Sequence, residues 1–294
     1  MKFLLVKINN PSTGKLHPPS KTIPITISTF IKMSLTKKSS SLFVNIFGRI
    51  WAFWGLLSFV STFLIFFLPT MGSHLFKDYK KGQAYFITVS RWWMRFWLFL
   101  IGCPLKVYGR EHFIKNETYV ITYNHNAMLD VPLSAPFVPG ANKTIAKSSF
   151  AKVPIFGWFY ARGSVLVNRN DERSRLKSFE LMKSVLDSGI HVCIYPEGTR
   201  NRTTATMKPF YEGAFKLAVA SAKNVIPCVI VGTKKAMPIS KPFFMIPAKL
   251  EMYFLPPVSS NQKNAKQLKE EVFTEMVNFY ESKVGKSNIV SANT

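Results

Sequence analysis

Acidic residues are scarce in this sequence. Its 294 residues include 15 Asp and Glu against 39 Lys and Arg, a formal net charge of +24. Such an excess indicates a polyanionic partner, either a nucleic acid or an anionic membrane surface. No helix-turn-helix, zinc-finger or RNP-like signature is present, and the 26 Phe and 6 Trp cluster mainly with aliphatic residues. We therefore expect membrane lipids at an anionic bilayer surface as partners, and no nucleic acid.

Cysteine and histidine are too few and too scattered for a disulfide framework or a metal centre. The three cysteines, Cys103, Cys193 and Cys228, form no CxxC pair, and their odd number and apolar neighbours favour free thiols in a reducing compartment. The five histidines show no HExxH or similar ligand spacing. We predict no protein-bound metal.

The N-terminal third contains one long run without a formal charge, from Ile50 to Phe76. About 20 apolar residues suffice to span a bilayer core, so the run predicts a transmembrane helix at about residues 50–69. Residues 1–41 are rich in Lys, Ser, Thr and Pro and are predicted to form a disordered basic arm. Met33 is an alternative start to Met1.

A second apolar segment, at about residues 85–104, allows two interpretations. It contains three tryptophans and Arg95, and only about eight residues after this arginine are purely apolar, too few to span a bilayer. One interpretation is a return span, and the other is an interfacial helix whose basic residues meet lipid phosphates. We favour a membrane-anchoring helical hairpin at residues 42–104 that leaves both ends on the cytoplasmic face of an integral membrane protein.

From residue 105 onward, short strands alternate with helices, which is the pattern of an α/β domain. We predict a mixed, mostly parallel sheet flanked by helices at residues 105–285, followed by a tail at 286–294. The predicted strands are Leu105–Tyr108, Thr118–Tyr123, Lys143–Ala146, Ser164–Asn168, Ile190–Tyr195, Val225–Val231 and Lys249–Phe254. The predicted helices are Met128–Phe137, Ser148–Tyr160, Asp171–Ser188, Glu212–Ala222 and Ala265–Val284.

The stretch Asn-His-Asn-Ala-Met-Leu-Asp at residues 124–130 follows the second predicted strand. A histidine with a carboxylate five residues on is a candidate general base with the group that orients it. Five residues exceed one helical turn, so His125 and Asp130 meet only if the histidine lies in the turn and the aspartate points back from the first turn of the next helix. The pair is a geometric hypothesis, because this spacing also arises by chance.

A second polar turn, Tyr-Pro-Glu-Gly-Thr-Arg at residues 195–200, follows another strand. Since strand ends carry the active sites of open α/β sheets, we expect this turn and His125 to face one crevice. Arg200 offers a bidentate fork for phosphate, and Gly198 lets the backbone approach a ligand closely. Glu197 would accept hydrogen bonds from a hydroxyl-rich substrate or anchor the arginine. The alternative is a plain turn with a surface salt bridge.

Four stretches together resemble the motifs of one family. Residues 124–130 are similar to its NHxxxxD block, 157–169 to its second block, 195–200 to its FPEGTR block, and 225–230 to its apolar fourth block. In this order and spacing they resemble the glycerolipid acyltransferases that acylate lysophosphatidic acid, over about residues 106–231.

The resemblance implies a glycerol-3-phosphate acyltransferase-like fold and transfer of a fatty acyl group from acyl-CoA or acyl-carrier protein to 1-acylglycerol-3-phosphate. It implies that His125 is the catalytic base and Asp130 its orienting partner, with no cofactor and no covalent acyl-enzyme. The substrate-binding residues implied are Asn124, Arg162, Arg169, Glu197, Gly198, Thr199 and Arg200.

Three positions depart from the family pattern. Asn168 replaces an aspartate, Tyr195 replaces a phenylalanine, and Tyr211 stands where a basic residue usually follows the Pro-Phe pair, although Lys208 precedes that pair. These departures leave open a different acceptor, such as a lyso-aminolipid or another lysophospholipid. An alternative of another class is a non-catalytic, membrane-attached protein that binds anionic lipids through its basic face.

Overall fold

A computed structural model describes residues 27–168 and 171–285 of the chain. Most of the predicted basic arm, the predicted tail at 286–294 and Arg169 lie outside the described residues. The chain divides into two compact units, residues 1–44 and 45–294, and the second contains the sheet and the predicted site residues that are described.

The described elements are eight helices, seven strands and three 3-10 turns. The helices are α1 (Ile27–Met71), α2 (Tyr79–Leu100), α3 (Asp130–Phe137), α4 (Phe156–Gly163), α5 (Glu172–Asp187), α6 (Gly213–Ala220), α7 (Thr233–Ala236) and α8 (Ala265–Val284). The strands are β1 (Leu105–Tyr108), β2 (Val120–Tyr123), β3 (Asn142–Lys147), β4 (Ser164–Val167), β5 (His191–Ile194), β6 (Val225–Val231) and β7 (Leu250–Phe254). The 3-10 turns are Gly72–Leu75, Arg110–His112 and Ser148–Lys152.

The seven strands form one sheet in the order β1-β7-β6-β2-β5-β3-β4. All neighbours run parallel except β6 and β7, which are antiparallel. The central strands β2 and β5 are buried along their whole length, as their near-continuous apolar sequences predict for strands covered on both faces. The predicted mixed, mostly parallel sheet flanked by helices is confirmed.

Helices cover both faces of the sheet, and alternate strand residues supply the two cores. Ile121 and Tyr123 of β2 join the core beneath α2 and α3, whereas Val120 joins the core beneath α5, α6 and α8.

Helix α1 begins earlier than predicted. Residues 27–41 are helical, although the sequence predicts them as part of a disordered arm. Adding a turn to an existing helix fixes one residue per hydrogen bond, whereas nucleation fixes several, so the apolar run after residue 42 extends backward readily. Within the described residues, Leu42–Leu75 is the one stretch that is long and apolar enough to cross a membrane.

Helix α2 packs against α3 and β3 of the α/β domain. Gln83 donates from Nε2 to the Asn142 carbonyl at 2.7 Å, and Arg91 donates to the carbonyls of Pro136 and Val138 at 2.6 and 2.8 Å. These bonds tie α2 to α3 and β3. The helix that contains the second apolar segment is therefore hydrogen-bonded to the α/β domain.

One predicted helix is divided in two. The segment Ser148–Tyr160 forms the 3-10 turn Ser148–Lys152 and then α4, with Pro154 between them. Proline has no N–H to donate and disfavours a helical conformation in the residue before it, so the helix cannot run through this position.

Candidate active site

The two specific motifs emerge at the same edge of the sheet. Strand β2 ends at Tyr123 and its parallel neighbour β5 ends at Ile194, so residues 124–130 and 195–200 both leave the carboxyl edge. This is the edge at which open α/β sheets bind their ligands. The juxtaposition follows from the strand order, in which β2 and β5 are neighbours although their ends are 71 positions apart in the sequence.

His125 and Asp130 are in contact. The histidine Nδ1 lies 3.0 Å from Asp130 Oδ2, with the histidine in the turn after β2 and the aspartate at the first residue of α3. The histidine side chain is 13% exposed and the aspartate is fully buried. A carboxylate on Nδ1 selects the tautomer with its proton there and leaves Nε2 unprotonated for an incoming proton.

The carboxylate of Asp130 is itself held by the turn that it follows. Its Oδ2 accepts the backbone N–H of Asn126 at 2.6 Å and of Ala127 at 2.7 Å, besides the histidine. Its Oδ1 is buried and has no hydrogen-bond partner among the described residues. Three donors on one oxygen restrict the orientation of the carboxylate.

Glu197 fastens the histidine turn to the second motif. Its Oε1 accepts the backbone N–H of His125 at 2.6 Å, and its Oε2 accepts that of Lys208 at 2.9 Å. The side chain is fully buried, and burial raises the pKa of its carboxyl group to about 7 even though the two backbone donors act in the opposite direction. This differs from the substrate contact that we expected, since the side chain is fully buried and both of its oxygens accept backbone N–H groups.

Asn124 also differs from its expected substrate contact. Its side-chain amide is fully buried and pairs with β6, donating to the Ile230 carbonyl at 2.9 Å and accepting the Ile230 N–H at 2.7 Å. Both polar ends of the amide are therefore used at the end of the neighbouring strand. Asn124 positions the start of the catalytic turn rather than lining the site.

The residues that follow β5 are hydrogen-bonded to the histidine turn. The N–H of Asn201 donates to the His125 carbonyl at 2.7 Å, so Arg200 directly precedes a residue bonded to the catalytic turn. Lys208 donates from Nζ to the exposed Thr199 hydroxyl at 2.7 Å. The left-handed φ of 71° at Gly198 explains the glycine in this turn, since other residues adopt that conformation at a cost. Arg200 is therefore joined to the His125 turn through Asn201, and Lys208 is joined to it through Glu197.

Arg162 lies elsewhere. It precedes β4, whose first residue Ser164 pairs with Thr144 near the start of β3, so it is at the amino edge of the sheet. Its guanidinium donates to Ser73 Oγ at 3.1 Å and to Gln83 Oε1 at 2.8 Å. The acceptor-binding role expected for Arg162 does not fit this position. The corresponding expectation for Arg169 falls outside the described residues.

Two tyrosines support the catalytic turn and escaped the sequence analysis as site residues. Tyr195 donates its hydroxyl to the Asp130 carbonyl at 2.8 Å, and its ring centroid is 4.5 Å from that of His125. Tyr280, near the end of α8, accepts a hydrogen bond from Asn126 Nδ2 at 3.3 Å. The Tyr195 contact has a signal in the sequence, the replacement of the family's phenylalanine by a residue with a hydroxyl. The Tyr280 contact has none, because it joins residues 154 positions apart.

Residues 27–168 and 171–285 contain no group of three His, Cys, Asp or Glu side chains arranged to hold a metal ion. The paired His125 and Asp130 at the carboxyl edge of an α/β sheet are the arrangement of a general base with its orienting carboxylate. An acyltransferase-type domain fits both this pair and the motif order.

Comparison with known proteins agrees with that class. Residues 104–231 match the Acyltransferase family model. The chain is 34% identical over 171 residues to a 1-acyl-sn-glycerol-3-phosphate acyltransferase of Chlamydomonas reinhardtii, which covers 55% of this chain and 48% of the relative. It is 32% identical over 158 residues to the enzyme of the same name from Saccharomyces cerevisiae, covering 52% and 51%. The chain spans about half the length of these curated relatives.

The fold has a solved counterpart. A crystal structure of the 1-acyl-sn-glycerophosphate acyltransferase of Thermotoga maritima superimposes with a TM-score of 0.68 and 21% identity, covering 82% of this chain and 97% of that one. The family resemblance and the fold predicted from the four motifs are thus confirmed.

Proposed function

We propose that this chain transfers a fatty acyl group from acyl-CoA or acyl-carrier protein to the free hydroxyl of 1-acylglycerol-3-phosphate, giving phosphatidic acid. The observation that carries the proposal is the 3.0 Å contact of His125 with Asp130 beside the turn that holds Arg200. The similarity to 1-acyl-sn-glycerol-3-phosphate acyltransferases supports the choice of acceptor.

The proposed reaction is a direct displacement. Asp130 holds the Nδ1 proton of His125, so that Nε2 removes the proton of the acceptor hydroxyl as its oxygen attacks the thioester carbonyl carbon. The tetrahedral intermediate collapses by breaking the carbon–sulfur bond, and the departing thiolate takes the proton from Nε2. The imidazolium exists only between these two steps, and the buried carboxylate stabilises it.

No protein nucleophile takes part in this scheme. Cys193 and Cys228 are fully buried, and burial raises the pKa of both thiols, that of Cys193 to about 12. A thiol in that state carries almost no thiolate at neutral pH, and the thiolate is the nucleophile. Their burial supports acyl transfer without an acyl-enzyme.

Arg200 and Lys208 are the residues proposed to bind the acceptor phosphate. Among the described residues, neither forms an ion pair with a carboxylate. A guanidinium fork and an ammonium group together match a phosphate monoester. With the phosphate held there, the adjacent His125 is brought within reach of the glycerol hydroxyl.

We propose that the helical hairpin attaches the domain to a membrane, with the domain on the cytoplasmic face where free thiols and acyl thioesters are found. Trp51 donates to the Ile101 carbonyl at 3.0 Å and Trp97 to the Gly55 carbonyl at 3.1 Å, so α1 is bonded sideways to α2. Large side chains on its other side are exposed, including Ile65 at 67% and Leu68 at 75%. This supports entry of the α1 side into one leaflet rather than the crossing predicted from its length.

Tags at the two ends of the chain test this attachment. In sealed vesicles we expect external protease to remove both the N-terminal and the C-terminal tag. Protection of one tag alone would instead establish a crossing helix.

A lysolipid panel tests the acceptor. The purified full chain is supplied with oleoyl-CoA or oleoyl-acyl-carrier protein and with lysophosphatidic acid, lysophosphatidylcholine, lysophosphatidylethanolamine or a lyso-aminolipid. We expect transfer to lysophosphatidic acid to be fastest, because it alone carries a phosphate monoester for the two cations. Transfer to another lysolipid without transfer to lysophosphatidic acid would overturn the proposed acceptor. This outcome would match the departure at Tyr211.

A further inference from the structure

A second basic site lies at the amino edge of the sheet. A cavity of about 720 Å³ opens there between the turn that joins α1 to α2, the start of β3 and the end of α4. Its floor includes Lys143, which pairs with Val192 and so is level with Val120 of β2. His125 comes five residues after Val120, which at about 3.3 Å per residue puts the two sites on the order of 15 Å apart along the strands.

The cavity gathers four basic side chains without an acid. His74, Lys77, Lys143 and Arg162 line it. Among the described residues, none of the four forms an ion pair with a carboxylate. Lys143 is only 8% exposed, and its ammonium group lies 5.3 Å from the ring centroid of Tyr79. The ammonium group thus lies near an aromatic ring and has no carboxylate counter-charge among the described residues, and a bound anion would supply one.

The polar groups of the floor leave donors for such an anion. Arg162 uses Nε on the buried Ser73 hydroxyl and Nη1 on Gln83 Oε1, while a guanidinium has five N–H groups in all. These two bonds orient its plane, and the Tyr79 ring lies 5.4 Å from its Cζ. An arginine fixed in this way loses little further side-chain entropy when it binds phosphate.

The rim of the cavity is aromatic and exposed. Trp158 is 69% exposed, and Phe76 and Tyr79 are exposed as well. Close along the chain, Leu68 and Leu75 at the α1–α2 turn are among the most exposed apolar residues described. The site therefore has a cationic floor, an amphipathic rim and an apolar surround, which matches a lipid with an anionic headgroup and not a fully soluble anion.

We propose that this cavity binds the phosphate headgroup of an anionic membrane phospholipid, with its basic side chains on the phosphate and its aromatic rim at the level of the first acyl carbons. The inference rests on the proposed membrane attachment and is independent of the acyl transfer. Such a lipid would hold the α1–α2 turn at the headgroup level and so fix how the domain sits on the bilayer.

Calorimetric titration of the detergent-solubilised full chain tests the proposal. The probes are dihexanoyl phosphatidylglycerol, dihexanoyl phosphatidylcholine and inorganic phosphate. We expect a Lys143→Met, Arg162→Gln double variant to bind phosphatidylglycerol at least about 10-fold more weakly, since losing one charge-assisted contact costs about that factor. The matched control, Lys177→Gln with Lys183→Gln, removes two charges from α5 on the opposite face and should stay within about 2-fold of the parent. Phosphatidylcholine should bind all forms alike.

Each other result decides against the proposal. Unchanged phosphatidylglycerol affinity in the double variant would overturn the site. Inorganic phosphate binding as tightly as phosphatidylglycerol would overturn a lipid in favour of a free phosphate. If the double variant does not fold, a second double variant at exposed positions, His74→Gln with Lys77→Gln, replaces it. We expect its affinity for phosphatidylglycerol to be about 3-fold lower than that of the parent, and an unchanged affinity would overturn the site. A His125→Ala variant should bind phosphatidylglycerol like the parent, and loss of binding there would assign the lipid to the catalytic site instead.

Discussion

At the carboxyl edge of the sheet the carboxylates of Asp130 and Glu197 are bonded to His125 and to the backbone, whereas the basic side chains that line the cavity at the amino edge form no ion pair with a carboxylate among the described residues. Asp130 accepts three hydrogen bonds on one oxygen, and Glu197 accepts two backbone N–H groups. Lys143 and Arg162 have contacts with Tyr79 instead of with a carboxylate. The first arrangement is preorganised for chemistry, and the second has unused charge for a ligand.

The largest expected effect comes from Asp130→Asn. The new amide cannot accept the same three donors, and it reverses the preference for a proton on His125 Nδ1. We expect kcat for phosphatidic acid formation to fall about 10³-fold, measured as initial rates with lysophosphatidic acid. Phosphatidylglycerol binding at the amino edge should be unchanged. A rate within about tenfold of the parent would contradict the role of the Asp130 hydrogen bonds in preorganising the carboxyl edge for catalysis.

Glu197→Gln should cause the next largest loss of activity. One of the two backbone N–H groups, that of His125 or that of Lys208, loses its acceptor at a cost of about 1–3 kcal/mol. A displacement of the histidine turn by about 1 Å would reduce kcat about 10²-fold. The same change in an exposed carboxylate, Glu172→Gln on α5, is the control and should alter neither rate nor stability. Full activity in the Glu197 variant would contradict its positioning role.

Glu197 also predicts a pH dependence of stability. Because burial raises its pKa to about 7 in the folded protein, the folded state binds more protons than the unfolded chain between about pH 4.5 and pH 7. The contribution of this group to the free energy of unfolding is therefore complete below that window and is lost as the pH rises through it, by about 1.4 kcal/mol per unit of pKa difference. Melting temperatures from pH 5 to pH 8 should decline in the parent relative to Glu197→Gln. Parallel curves would refute the raised pKa.

Arg200→Gln should act on binding more than on chemistry. We expect KM for lysophosphatidic acid to rise about 10-fold while kcat changes less, because the proposed partner of the guanidinium is a phosphate that does not react. The KM for the acyl donor serves as the internal control. A loss confined to kcat would place Arg200 at the reacting atoms instead.

Tyr280→Phe is expected to have the smallest effect. It removes the acceptor for Asn126 Nδ2 while keeping the ring, at a cost of about 1 kcal/mol in thermal unfolding and less than tenfold in kcat. Tyr211→Phe, on a side chain that is 69% exposed, is the matched control and should be silent. If both changes had equal effects, the proposed role of the hydrogen bond between α8 and the catalytic turn would be contradicted.

Local sequence patterns predicted the elements well. All seven strands and the helix Ala265–Val284 follow from apolar periodicity. In the structure, the side chain of Asn264 caps the start of that helix. The contact of His125 with Asp130 follows from the spacing once the strand and helix are placed on either side of it.

Roles that depend on distant partners were not predictable. Glu197 and Asn124 look like ligand-binding groups in isolation, but their partners lie 72 and 106 residues away along the chain. Arg162 was expected at the site because it lies in a stretch that resembles a family motif, yet it precedes β4, and the parallel pairing of β4 with β3 puts that end of the strand at the amino edge. Strand order is a property of the whole sheet and leaves no mark in the local pattern.

The most direct test of the central claim is acyl transfer by His125→Ala. Purified parent and variant are compared for phosphatidic acid formed from lysophosphatidic acid and an acyl thioester, with melting temperature and phosphatidylglycerol binding as evidence of an intact fold. We predict product from the parent and a rate at least about 10³-fold lower from the variant. A folded His125→Ala protein that forms phosphatidic acid at a rate comparable to the parent would contradict the account.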